Sequence, residues 1–174
     1  MMQDIRNHKS RMVGLRKWLD RSLNLLAGGS FIIMTLLTCW QVVTRYLLGK
    51  PSSWSEELVS YLFAWMALLG ASLVVGERGH MNIPLLLEKT GPTARLALSV
   101  FAEGIAALFA AVILVYGGVE ITSLAMAQMT SALGVPIGLF YLVLPLSGVL
   151  NALYCALNII DMINGTMNLD EKSE

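Results

Sequence analysis

Charge is scarce in this 174-residue chain: Asp, Glu, Lys and Arg together make up 14%, against about 25% in an ordinary soluble domain. Apolar residues reach 56%. That balance makes a membrane protein the economical reading. The net charge is zero, so no basic surface points to nucleic acid. Cysteine is nearly absent. Cys39 and Cys155 both fall in apolar stretches and form no C-x-x-C pair, which disfavours redox chemistry and a zinc site. The two histidines, His8 and His80, lie outside the apolar stretches, so haem held between membrane helices is disfavoured as well. Paired cysteines, intramembrane histidines and clustered carboxylates are what a membrane enzyme needs. Without them the expectation is no enzyme and no cofactor. Repeats and low-complexity tracts are not evident.

What the chain has instead is long apolar runs. Four are predicted to span a membrane as helices, at about 22–44, 58–75, 94–119 and 135–160, since about 20 helical residues cross a bilayer core. The runs are continuous and do not alternate, which favours helices over barrel strands. The expected fold is an all-α integral membrane protein with three parts. Residues 1–21 form a basic N-terminal segment, 22–160 a four-helix transmembrane domain, and 161–174 a tail. The N-terminus is too polar, and the first apolar run too long, for a secretory signal, so that run is expected to stay as an anchor.

Loop charge predicts the orientation. Ten of the 12 lysines and arginines fall on the side of the two termini and the second loop, and two, Arg45 and Lys50, on the other. Cations concentrate on the cytoplasmic side, so both termini are expected there, with loops 45–57 and 120–134 facing outward. Trp40, Tyr46, Trp54, Tyr116, Phe140 and Tyr141 would then form the outer aromatic belt and Trp18 and Tyr154 the inner one, all but Trp54 read as ordinary lipid anchors. Met12, Leu15, Leu19, Leu23 and Leu26 make one helical stripe, with Arg16, Lys17, Asp20 and Arg21 facing away. This stripe suits an interfacial amphipathic helix, and a plain basic flank that only sets topology is the other reading. Asn82, Pro84 and Gly91-Pro92 bracket a short helix in the cytoplasmic second loop. Pro145 is placed to kink the last span. Gly134, Gly138, Gly148, Ala152 and Ala156 repeat at spacings that let helices approach closely.

Two places carry candidate site residues. Arg45 to Glu57 is the densest polar cluster outside the tails. Ser53-Trp-Ser-Glu56 reads as a capping box, Glu56 and Glu57 suit a helix N-terminus and Arg45 a C-terminus, and the Gly49-Lys50-Pro51 turn is expected to bring Arg45 to Glu57. Either the cluster only closes a helical hairpin or it is a docking surface for an outer partner. The second place is Glu103, well inside the third span, where a carboxylate costs about 2.5–3.5 kcal/mol on insertion scales. With no intramembrane cation expected, Glu103 is to be protonated, to snorkel, to meet polar groups such as Gln41 or Asn151, or to face another subunit. An alternative function follows from it: a small self-sufficient proton-coupled exporter that uses Glu103.

Arg45-Tyr46, Trp54-Ser55-Glu56-Glu57-Leu58, Gly70 and Arg78-Gly79-His80 together resemble the small, DctQ-type membrane subunit of TRAP (tripartite ATP-independent periplasmic) transporters. The resemblance covers roughly residues 20–160. It implies a scaffold subunit in the bacterial inner membrane, bracing a large elevator-type subunit that binds substrate and sodium. A soluble periplasmic protein would deliver an organic acid such as sialic acid or a C4-dicarboxylate. On that resemblance Arg45, Trp54, Glu56 and Glu57 are motif residues of the periplasmic corner, His80 belongs to a cytoplasmic-side motif, and none is catalytic.

Overall fold

In the computed structural model, residues 2–76 and 92–163 are described. His80, the predicted second-loop helix and nearly all of the C-terminal tail lie outside them. The first helix, α1, runs without a break over Met2–Tyr46. The basic segment and the first span are therefore one rod. Its 45 residues reach about 68 Å at 1.5 Å each, well past a ~30 Å hydrocarbon core. α1 ends where Gly49 takes a positive φ of 62°, and the Lys50 amide reaches back to the Thr44 carbonyl at 3.1 Å. This is the left-handed C-terminal turn that glycine supports.

α2 follows at Ser53–Gly76. Pro92 is the first residue of α3, Pro92–Phe109, where its missing N–H is no loss. The third span continues through a wider π-helical segment, Ala110–Gly117, into α4, Gly118–Ala125. The last span is split into α5, Gly138–Tyr141, and α6, Val143–Ile163. The split has a simple cause. Pro145 has no N–H to offer the Tyr141 carbonyl, so the ladder is interrupted at Leu142. Among the described residues, four stretches are long and apolar enough to cross a membrane: Arg16–Tyr46, Ser53–Gly76, Leu96–Ala125 and Gly138–Met162.

α6 is the central element. It packs on α2 on one side and on α3 and the π segment on the other, while α1 packs mainly on α2. Leu19 and Leu23 of α1, Leu69 and Leu73 of α2, and Val143 and Tyr154 of α6 form the buried core. Glycine sets the spacing between the third and fourth spans. A Cβ at Gly138 would lie 2.7 Å from the Thr122 carbonyl oxygen, and one at Gly148 would lie 2.7 Å from Leu114 Cβ. Only a bare Cα lets these backbones meet so closely. Gly134, from the same predicted row, serves instead as a turn residue with φ 67°.

Candidate functional site

The polar residues gather at the two ends of the bundle. At the end that carries connections 47–52 and 126–137, Arg45 at the close of α1 forms an ion pair with Glu56. It does not reach Glu57. Successive residues of a helix point about 100° apart, so the face of α2 that turns Glu56 toward α1 turns Glu57 away. Glu57 instead receives three backbone N–H groups from the far connection: Ser131 at 3.2 Å, Ala132 at 2.9 Å and Leu133 at 3.1 Å. That connection is well ordered by its own bonds. The Thr130 amide donates to the Val135 carbonyl at 2.9 Å, the Val135 amide to Thr130 Oγ1 at 3.1 Å, and the Ile137 amide to the Gln128 carbonyl at 2.9 Å. Glu57 thus acts as an anion in a cup of amides, a charge-assisted arrangement.

The predicted Ser53–Glu56 box does not form. The Ser52 carbonyl accepts the Ser55 amide at 3.2 Å, the Glu56 amide at 3.3 Å and the Ser55 hydroxyl at 2.8 Å. Ser52 therefore holds the start of α2 through its backbone. Trp54 stands beside it, exposed. Further in, the Trp65 indole donates to the Phe140 carbonyl at 2.9 Å, and the Tyr61 ring stacks on Phe140 at 3.9 Å. Both contacts hold α5 against α2 at the break in the last span.

The opposite end, near the chain termini, holds Glu103. It is fully buried, and its partner is neither Gln41 nor Asn151. Asn158 Nδ2 donates to Glu103 Oε1 at 2.8 Å and lies 3.3 Å from the Val75 carbonyl. The Asn158 carbonyl oxygen in turn accepts from Arg16 at 3.2 Å. Arg16 also donates to the Gly76 carbonyl at the end of α2 and pairs with Asp161 at 3.3 Å. One turn further along α1, Asp20 accepts the Tyr154 hydroxyl at 2.6 Å. Arg16 and Asp20 therefore face into the bundle, not away from it. The amide orientation of Asn158 is self-consistent: its oxygen meets a donor-only guanidinium and its nitrogen meets two acceptors. Gly76 is tight here too, since a Cβ on it would lie 2.7 Å from the Tyr154 ring.

This cluster joins all four spans, and sequence reading passed over most of it. A signal was available. Tyr154, Asn158 and Asp161 recur at i, i+4 and i+7 on the last helix, and Arg16 and Asp20 at i and i+4 on the first, so each set is a polar stripe on one helical face. Glu103 Oε2 is buried with no hydrogen-bond partner among the described residues. Those residues also contain no group of three His, Cys, Asp or Glu side chains placed to hold a metal ion. Cys39 is exposed and Cys155 buried, and neither is in a disulfide. The chemistry on display is that of helix joining.

The sequence matches the family described as tripartite ATP-independent periplasmic transporters, DctQ component, over residues 34–165. It is 34% identical over 89 residues to the sialic acid TRAP transporter small permease protein SiaQ of Vibrio cholerae, a match that spans 51% of each chain. It is 28% identical over 139 residues to a putative TRAP transporter small permease protein of Haemophilus influenzae, covering 80% of this chain and 86% of that one. A third relative, the sialic acid TRAP transporter permease protein SiaT of Haemophilus influenzae, is 31% identical over 70 residues, 40% of this chain but 11% of SiaT. With four membrane-crossing helices and three-quarters of its length inside the family match, this multi-pass membrane protein belongs to the DctQ component family of the TRAP transporters.

Proposed function

We propose that the chain is the small scaffold subunit of a sodium-driven, binding-protein-dependent importer of an organic acid, and that it braces a large elevator-type transport subunit. The observation that carries this reading is what the buried polar groups do. Arg16, Glu103, Asn158 and Asp161 tie the spans of this chain to one another. A side chain spent on an internal tie stiffens a bundle; it does not line a path for solute. The SiaT match supports a large partner, because there a stretch resembling this chain is a small fraction of a much longer permease. Substrate and sodium sites are then properties of the large subunit, and sialic acid or a C4-dicarboxylate is the expected cargo.

The cation bias between loops supports an inner-membrane protein with both termini in the cytoplasm. The Arg45, Trp54, Glu56 and Glu57 corner then faces the periplasm, where a soluble binding protein docks, and His80 faces the cytoplasm. The exporter reading needs a carboxylate that exchanges protons with water. Glu103 is enclosed instead by Asn158, with Arg16 behind it, so nothing at the site favours that reading.

Reconstitution tests the proposal. Vesicles holding this chain with its large subunit, supplied with binding protein and a sodium gradient, are expected to accumulate the organic acid. Vesicles with this chain alone are expected to accumulate none, and full uptake by those vesicles overturns the proposal.

A further inference from the structure

Three cations stand close together on α1 near the termini end: Arg16, Lys17 and Arg21. Their surroundings separate them. Arg16 turns inward to Asp161, Asn158 and Gly76. Lys17 and Arg21 are exposed, one helical turn apart and so on the same side of the rod. Neither makes an ion pair or a side-chain hydrogen bond among the described residues. The acids of the same region already have partners, since Asp20 accepts from Tyr154 and Asp161 pairs with Arg16. Trp18 lies between the two cations in sequence and is 67% exposed. Beyond them α1 continues as an outward stripe of Leu25, Ile32, Leu36 and Val43, all exposed, on the side opposite the Leu19 and Leu23 stripe that packs into the core.

We propose that Lys17, Arg21 and Trp18 form a binding site for the headgroup of an anionic phospholipid, whose acyl chains lie along the outward stripe of α1. Each part answers one feature of such a lipid. Two cations without acidic partners match a headgroup with net negative charge. The indole belongs at the boundary between headgroup and hydrocarbon. The apolar stripe directly continuous with them selects a lipid over a free phosphate ion, which has nothing to place there. The site requires only that this end of α1 reach a membrane surface, so it holds for either leaflet. It also goes beyond basic residues that merely set topology, because those have no reason to prefer one headgroup once the protein is folded.

Native mass spectrometry of the full chain in detergent, titrated with phosphatidylglycerol or phosphatidylcholine, tests this. The wild type is expected to load phosphatidylglycerol at a several-fold lower concentration than phosphatidylcholine. Lys17→Gln with Arg21→Gln is expected to bring the two lipids level, while Lys50→Gln, at the far end of the bundle, leaves the preference intact. Tryptophan quenching by brominated phosphatidylglycerol, compared between wild type and Trp18→Phe, reads the same site without removing either cation, and the Trp18 share is expected to be quenched first. Equal loading of both lipids by the wild type overturns the proposal. So does an undiminished preference in the double variant, or displacement of phosphatidylglycerol by inorganic phosphate at matching concentration.

Discussion

The two ends of the bundle use similar residues in different surroundings. At the loop end Arg45 meets Glu56 with both side chains about half exposed, 57% and 46%. At the termini end Asn158 reaches a carboxylate, Glu103, with no exposure at all, and Arg16 stands behind Asn158. An exposed ion pair contributes about 0.2–1 kcal/mol and fades with salt. A buried carboxylate has lost its water, so its remaining hydrogen bonds matter far more, and a lost partner costs about 1–3 kcal/mol or more. The difference teaches that the visible motif and the tightest structural joint are separate places. The motif residues Arg45, Glu56 and Glu57 close the outer turns. The joint that holds the spans together rests on Arg16, Glu103 and Asn158.

The strongest way to break this contrast is Asn158→Leu. It leaves Glu103 and Arg16 facing an apolar side chain, and the expected loss is about 2–3 kcal/mol, read as a fall in the thermal unfolding midpoint of the purified protein. A loss no greater than that of Arg45→Ala would erase the distinction between the ends. Glu57→Ala comes next. It withdraws the acceptor from three backbone amides, for an expected loss of about 1–2 kcal/mol. Hydrogen exchange at Ser131, Ala132 and Leu133 should quicken while exchange in α6 does not change. Glu103→Gln is expected to cost less than about 1 kcal/mol, because its amide oxygen still accepts from Asn158. A large destabilisation by this variant would mean that the carboxyl itself is needed.

The smallest effect belongs to the exposed pair. Arg45→Glu is expected to cost about 0.5 kcal/mol at low salt and less at high salt. Glu56→Arg should restore it and Glu57→Arg should not. Rescue by Glu57→Arg would return Arg45 to the pairing that the turn sequence suggested.

That last contrast shows where sequence reading reaches its limit. Ser53-Trp-Ser-Glu-Glu57 says that a helix starts with two carboxylates in its first turn, and α2 does start at Ser53. It does not say which carboxylate faces α1, because one residue is a 100° rotation and the rotation is settled by how α2 packs on its neighbours. Glu103 is similar. Its depth is plain from the apolar residues around it, yet Asn158 sits 55 positions away, and nothing local selects it over Asn151 two turns earlier on the same helix. The family, by contrast, was legible, since its motifs are short local runs of residue types, Trp54-Ser55-Glu56-Glu57-Leu58 above all.

Sequence alone determined the four membrane-crossing helices and the turn at Gly49, and it marked Pro145 as a breaking point. Each follows from local chemistry: hydrocarbon demands long runs of apolar helix, a left-handed turn favours glycine, and proline lacks an N–H. Tertiary structure alone decided that Glu57 holds the far connection, that Arg16 turns inward, and that Asn158 joins Glu103 to Arg16. Those outcomes depend on the rotation and depth at which whole helices pack, and packing is set by close approaches such as Gly138 against Thr122 and Gly148 against Leu114. These are sums of many weak contacts spread over distant parts of the chain, so no single stretch of residues carries them.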